Sequence, residues 1–224
     1  MTEHEVLLDL ARGRRLGLEE AIFCAHKSVD QIDVILGRVE EAGRSCLLTH
    51  LSQEQLADIG PAFSAAIDYE PTSRTAFFRH SSGTMGAPQV GIVTAGSSDV
   101  PVAREAQRTL EYFGVNSLPA FDVGVAGLWR LLERIDELNE LPVVIAAAGM
   151  DAALPSVLGG LYPGLIVAVP TSVGYGVAAG GGTALNAILA SCASGLVTVN
   201  IDNGYGAACA ALRVLRPALA NSGA

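Results

Sequence analysis

Charge is what this 224-residue chain has least of. Asp, Glu, Lys and Arg make up 17% of it, against roughly 25% in an average soluble domain. From Leu141 onward such residues are confined to Asp151, Asp202, Arg213 and Arg216. Lysine occurs once, at Lys27, and histidine stops at His80. Aromatics are 5% of the chain, so a core has to come from Ala, Val, Leu and Ile. The net charge of -9 argues against general nucleic-acid binding, because nothing would release counterions from a phosphate backbone. The four cysteines, Cys24, Cys46, Cys192 and Cys209, show neither CxxC pairing nor metal-ligand spacing. With no secretory signal in residues 1–4, reduced thiols in a cytoplasmic protein are expected. The charge-free run over residues 152–201 is broken by Pro155, Pro163, Pro170 and clustered glycines, which leaves no clean membrane span. So large a charge deficit also suggests surface lost between subunits, and a homo-oligomer is expected.

The chain divides by composition into residues 1–88, a small amino-terminal α/β module with a linker, and residues 89–224. In the first part, Val6, Leu7, Leu10 and Ala11 predict an amphipathic helix over residues 2–15, ending in the basic cluster Arg12, Arg14 and Arg15. A strand at residues 21–24 leads to a helix opened by Ser28, with Val29, Ile32, Ile35, Leu36 and Val39 on one face. A second strand at residues 46–49 precedes a short helix capped by Ser52 and stopping before Pro61. Residues 70–86 are turn-rich and unpatterned, and read as an exposed linker. Lys27, beside a helix start, either sits in solvent or holds an anionic group of a ligand. Arg12 and Arg15 face the same choice.

The second part alternates strand and helix. Strands are expected over residues 90–95, 120–125, 143–148, 165–169 and 196–199, and helices from about Pro101, over 128–138, to Leu158, over 183–191, and over 207–215. Five such repeats predict a parallel sheet with helices on both faces. Runs such as VVIAAA and LIVAV fit strands buried on both sides. Ligands in such folds sit beyond the carboxyl ends of the strands, and the polar motifs fall there.

Gly96-Ser97-Ser98-Asp99 offers backbone N–H groups and two hydroxyls to a phosphate, with Asp99 as a cap or hydrogen-bond organiser. Asp151 is a helix N-cap or a general base; no histidine is available in this half to share acid–base work. Cys192 is a small buried residue or a nucleophile, whereas Cys209, among alanines at helical spacing, reads as core. The glycine run from Gly174 and Gly176 to Gly182, which includes Tyr175, suits close approach to a flat or phosphorylated ligand or a tight subunit contact. Asn200, Asp202 and Asn203 orient ligand hydroxyls or close a turn.

TAGSSD, FDVGVAGLWRLL, AAGMDAALPSVLGGL, AVPTSVGYG, LASCASG and VNIDNGYGAA, in this order, resemble the LarB family of pyridinium-3,5-biscarboxylic acid mononucleotide synthases, which begin nickel-pincer nucleotide assembly. DLARGRRLGLEEAIFCAHKS resembles that family's amino-terminal segment, so the likeness spans essentially the whole chain. The carboxy-terminal half is similar to aminoimidazole ribonucleotide carboxylase and mutase enzymes of the PurE type. The resemblance implies a flavodoxin-like, PurE-like three-layer α/β domain built on a parallel sheet, commonly assembled as an octamer. It implies nicotinic acid adenine dinucleotide and bicarbonate or carbon dioxide as substrates, Cys192 as nucleophile and Asp151 as base or water-activating group. It also implies assistance by Mg2+, no tightly bound organic cofactor, and substrate contacts from Gly96, Ser97, Ser98, Asp99, Ser172, Gly174, Tyr175, Gly176, Asn200, Asp202, Asn203, Arg12, Arg15 and Lys27. Metal ligands are not assigned. The chain departs from the family pattern at Asp151, where glutamate is usual, at Trp129, where histidine is usual, and at His26, where glycine is usual. It departs from the PurE type at Ala153, which replaces a histidine before the Leu154-Pro155 pair.

Overall fold

The computed structural model describes residues 6–81 and 83–221, with no account of the side chains of Met85 and residues 216–221. The chain forms two compact units, Met1–Gly83 and Thr84–Ala224, each with its own sheet and core.

The first unit runs α1 (Arg12–Leu16), β1 (Ala21–Phe23), α2 (Val29–Glu41), β2 (Cys46–Thr49), α3 (Gln53–Asp58), α4 (Pro61–Ser64), β3 (Ile67–Glu70) and β4 (Thr75–Phe78). Its sheet has the order β1-β2-β4-β3, with β1 and β2 parallel and the other pairs antiparallel. Helix α2 starts where the sequence places it: Ser28 Oγ accepts from Gln31 N–H while Gln31 Oε1 accepts from Ser28 N–H, a reciprocal cap. Ile32, Ile35, Leu36 and Val39 are buried on its inner face, against Leu48, Ala76 and Phe78 of the sheet.

Two expectations for this unit need correction. The helix over residues 2–15 shrinks to Arg12–Leu16; residues 2–5 lie outside the described residues, and residues 6–9 have no helical hydrogen bonding. Val6 and Leu8 pack against the core instead, with Arg38 donating to the Val6 carbonyl and Asp9 N–H to Glu20 Oε2. Gly13 and Gly17 in the same stretch weaken any helix. The supposed linker over residues 70–86 contains β4, all four of whose residues are buried, paired with both β2 and β3. Its turn-rich flank 71–74 hid it: the hairpin closes through Glu70, whose carboxylate accepts from Thr72 N–H, Ser73 N–H and Ser73 Oγ.

The second unit runs β5 (Met85–Thr94), α5 (Val100–Tyr112), β6 (Val115–Ala120), α6 (Leu128–Leu132), α7 (Ile135–Asn139), β7 (Val143–Ala148), α8 (Ala153–Leu158), β8 (Leu165–Pro170), α9 (Gly182–Leu189), β9 (Leu196–Thr198) and α10 (Gly204–Asn221). All five strands are parallel, in the order β6-β5-β7-β8-β9, the flavodoxin-like order with its reversal between β5 and β7. Every residue of β7 is buried. Val144, Ala146 and Ala148 join Leu131, Leu138, Leu154, Leu158, Ala184 and Ile188 from α6 to α9 in one cluster. The alternate residues Val143, Ile145 and Ala147 face the other side, where α5 and α10 pack against the sheet and each other. This is the expected three-layer α/β fold.

Strand β6 lies five residues before the expected 120–125. Polar residues and a proline disguised it, and β6 is an edge strand, the place where Pro119 is tolerated. The single helix over 128–138 is two helices separated at Glu133-Arg134, and the last helix starts at Gly204, earlier than residue 207. No helix among the described residues is long and apolar enough to cross a membrane.

Phe78 tests the buried status of β4. It is 1% exposed and meets Phe63 edge-on at 6.0 Å between ring centroids. Phe78→Ala is expected to lower unfolding free energy in urea by about 3–5 kcal/mol; a loss within about 0.5 kcal/mol would return residues 75–78 to a linker.

Candidate active site

Because the five strands of the second unit run the same way, their carboxyl ends share one edge, and the loops leaving it carry the polar motifs with one exception: Cys192, expected there, lies in the turn that enters β9, at the amino edge of the sheet. Asp99 joins three of these loops. It is 3% exposed; its Oδ1 accepts from Thr171 Oγ1 at 2.6 Å and its Oδ2 from Gly96 N–H at 2.8 Å, and Gly149 N–H also donates to it. One carboxylate thus fastens the ends of β5, β7 and β8. Burial pushes its pKa up, the hydroxyl and amide donors pull it down, and the neighbouring Asp202 charge adds to the rise; the net shift is upward. With both oxygens engaged, Asp99 shapes the edge, while Ser97 and Ser98 stand exposed beside it.

After β7, the chain turns through Gly149, Met150, Asp151 and Ala152. A Cβ on Gly149 would lie 2.3 Å from the Val173 carbonyl oxygen and 2.7 Å from Thr171 Oγ1, so only glycine lets the β7 and β8 loops close on each other. Met150 N–H seals the contact by donating to the Val173 carbonyl at 2.8 Å. Met150 and Ala152 both take left-handed backbone, φ 55° and 45°, as do Asp122 after β6 and Asp202 in the turn after β9, φ 58° and 56°. Strained non-glycine residues gather where function needs a fixed backbone. The N-cap position of α8 belongs to Ala152, with no side-chain cap bond. Asp151 therefore does not cap the helix; it is exposed and takes no hydrogen bond or ion pair among the described residues.

The turn after β9 is tied to the β8 loop. Asp202 Oδ1 accepts from Ser172 N–H at 2.8 Å, and Asp202 N–H donates to the Pro170 carbonyl at 2.9 Å. Asn200 Oδ1 accepts from Ile201 N–H, and Asn203 Oδ1 accepts from Gly206 N–H at the start of α10. These three residues close turns with one oxygen each. Gly174 and Tyr175 lead into a 3-10 stretch, Gly176–Gly181, kinked at Ala179 and Gly180; Tyr175 before it and Val177 within it are 77% and 95% exposed.

Among the cysteines, Cys192 stands exposed in the turn between α9 and β9. Cys24 and Cys46 are buried, and burial pushes both thiols up to about 12, leaving them protonated and inert. Cys209 is half-buried, less enclosed than expected.

In the first unit Arg15 pairs with Asp9 at 2.5 Å, and this hydrogen bond holds the Asp9 carboxyl below its usual range. Arg12 Nε is buried without a hydrogen-bond partner among the described residues. Lys27 lines a cavity of about 320 Å3 with Phe23, Gln31 and Ile35; Arg12 and Arg15 do not reach it. Among the described residues no three His, Cys, Asp or Glu side chains gather as a metal cage, and Asp99 and Asp202 are already hydrogen-bonded. Asp99 engages both oxygens in hydrogen bonds and is not available to a resident ion. Sequence reading missed Thr94 and Thr171. Thr94 Oγ1 accepts from Asp122 N–H at 2.8 Å as Thr171 Oγ1 donates to Asp99, and the signal was a hydroxyl at the carboxyl end of an aliphatic strand.

Asp99 yields a pH prediction. Its folded pKa lies above the unfolded value, so the stability it contributes is complete below about pH 4 and is lost as pH rises through the folded value. Comparing urea unfolding of the wild type and Asp99→Asn, the unfolding free energy of the wild type relative to the variant should fall as pH rises above about 4; a difference moving the other way with pH would refute the assignment.

Comparison with known proteins accords with this architecture. The family model for AIR carboxylase matches residues 89–221, and that for the LarB/PurE-like N-terminal domain matches residues 4–80. An uncharacterized protein of Methanocaldococcus jannaschii is 35% identical over 212 residues, covering 92% of this chain and 82% of its own. The N5-carboxyaminoimidazole ribonucleotide mutase of Pyrococcus horikoshii is 33% identical over 141 residues, 57% of this chain and 72% of its own. The crystal structure of Treponema denticola PurE aligns with a TM-score of 0.46 at 23% identity, covering 58% of this chain and 81% of its own. With a parallel sheet in flavodoxin-like order, a polar carboxyl edge and a family match over more than half its length, the chain belongs to the AIR carboxylase family and carries a LarB/PurE-like amino-terminal domain.

Proposed function

We propose that the protein carboxylates the pyridinium ring of nicotinic acid adenine dinucleotide and hydrolyses its phosphoanhydride, releasing AMP and pyridinium-3,5-biscarboxylic acid mononucleotide. The observation that carries this reading is the exposed Cys192 thiol in a chain that joins a LarB/PurE-like amino-terminal domain to an AIR carboxylase domain. As a thiolate, Cys192 adds to the ring carbon para to the nitrogen and converts the electron-poor ring into a dihydropyridine. The adjacent ring carbon then donates its electron pair to carbon dioxide derived from bicarbonate. That carbon loses its proton to a base, the C–S bond breaks, and the departing thiolate restores the aromatic pyridinium. Asp151, exposed and without a partner among the described residues, takes the proton or activates the water that cleaves the phosphoanhydride. Ser97, Ser98 and the backbone of the Gly176–Gly181 turn supply neutral donors to an anionic ligand, as an acidic protein requires. In the same reading Mg2+ arrives on the phosphates. The enzyme works in the cytoplasm as a homo-oligomer. Exposed Trp129, Tyr175, Val177 and Leu189 give it apolar surface to cover.

A second reading, carboxylation or mutase chemistry on an aminoimidazole ribonucleotide, draws on the similarity to the Pyrococcus horikoshii mutase. Ala153, standing where the PurE type has histidine, counts against it.

With nicotinic acid adenine dinucleotide, bicarbonate and magnesium, mass spectrometry should find AMP and the dicarboxylated mononucleotide. Cys192→Ala should lower turnover by at least about 10³-fold and Asp151→Asn by about 10²-fold. Full activity in Cys192→Ala excludes the thiolate route; turnover of aminoimidazole ribonucleotide in place of the dinucleotide establishes the second reading.

A further inference from the structure

The turn that presents Cys192 is fastened to α8 on both sides of the thiol. On the side before it, Ser191 Oγ lies 2.7 Å from Ser156 Oγ of α8, a hydrogen bond in which either hydroxyl donates. Ser191 Oγ also accepts from Ala193 N–H at 3.2 Å, across the cysteine. On the side after it, Ala193 rests on Gly159, the residue that ends α8; a Cβ on Gly159 would come within 2.6 Å of Ala193 Cβ. Gly159 is itself fixed, since its N–H donates to the Pro155 carbonyl at 2.9 Å. Leu154 and Leu158, 1% and 0% exposed, anchor α8 in the core beside Ile188 of α9.

The other end of α8 matters as much. The helix begins at Ala153, two residues after Asp151, and the turn between them is held by Met150 N–H on the Val173 carbonyl and Ala152 N–H on the Gly149 carbonyl, at 2.8 and 2.9 Å. One short, half-buried helix is therefore attached to the exposed carboxylate at its start and to the exposed thiol along its second half.

We infer that α8 is the rigid spacer that fixes Cys192 relative to Asp151, and that Ser156 is a positioning residue acting through Ser191. Ser156 touches no reacting atom. Its hydroxyl holds the residue before the thiol, so that the sulfur meets a bound ring in one orientation instead of sampling several. The catalytic part of this inference rests on the proposed pyridinium reaction; the fastening itself does not.

The test uses the full chain with Ser156→Ala, Ser156→Thr and Gly159→Ala. Amide hydrogen exchange in residues 190–195 should accelerate about fivefold or more in Ser156→Ala and Gly159→Ala, with β7 and β8 unchanged, because only a local opening is made easier. Ser156→Thr keeps a hydroxyl and should exchange like the wild type. With the dinucleotide, Ser156→Ala should lose about tenfold to a hundredfold in kcat while KM moves less than about twofold, and Ser156→Thr should restore kcat. Alkylation of Cys192 by iodoacetamide, which needs no orientation, should change less than about twofold in Ser156→Ala. Unchanged exchange in Ser156→Ala overturns the fastening, and an equal kcat loss in Ser156→Ala and Ser156→Thr overturns the positioning role. If the wild type turns over no dinucleotide, the proposed function fails, and the exchange comparison alone still decides whether α8 holds the thiol.

Discussion

The buried bond between Thr171 and Asp99 is the constraint on which the carboxyl edge of the second unit depends. A carboxylate with 3% exposure is costly unless its lone pairs are filled, and here they are filled from three different loops. The arrangement works only if β5, β7 and β8 end at the same level, which the unbroken parallel register from Val143 to Ala148 ensures. Asp202 then extends the link to the turn after β9 through Ser172. Four strand ends are thus drawn together by two aspartates and a threonine, and the glycine at position 149 lets them approach.

This division of labour explains why the acidic residues of the edge are not equivalent. Asp99 and Asp202 are engaged by backbone and hydroxyl donors, whereas Asp151 is offered to solvent on a turn flanked by two left-handed residues. The thiols separate in the same way: two are buried and pushed up to about 12, and one is exposed at a helix-to-strand turn. The fold thus leaves Asp151 and Cys192 uncommitted while it engages or buries the groups around them.

How far the sequence could be read follows from the same physics. Strands β7 and β8 were legible because continuous apolar runs such as VVIAAA admit little else in a parallel sheet, and α2 was legible because Ser28 and Gln31 mark its start. Strand β6 was misplaced because an edge strand can carry Asn116, Ser117 and Pro119 without penalty, and β4 was overlooked because Thr75 to Phe78 sits between a tight turn and a polar tail. The positions of Ser97, Asp151 and Asp202 beyond strand ends were also readable, since each follows a strand and precedes a helix, whereas Cys192 follows α9 and precedes β9, at the amino end of its strand and not at the expected carboxyl edge. The Thr171 bond and the Ser156–Ser191 contact were not readable, because each joins residues 72 or 35 positions apart through side chains whose direction is set only by packing.

The two margins of the larger sheet have a consequence for assembly. One is β6, where Pro119 removes a backbone donor; the other is β9, only three residues long. Neither offers a run of free N–H and C=O groups sufficient to template another strand. The larger sheet is therefore poorly suited to extension by a strand from another copy at either margin. That leaves side-chain surfaces of its helices and loops as the faces of this unit suited to contact with another copy, and it leaves the carboxyl-edge geometry independent of backbone pairing with a neighbour.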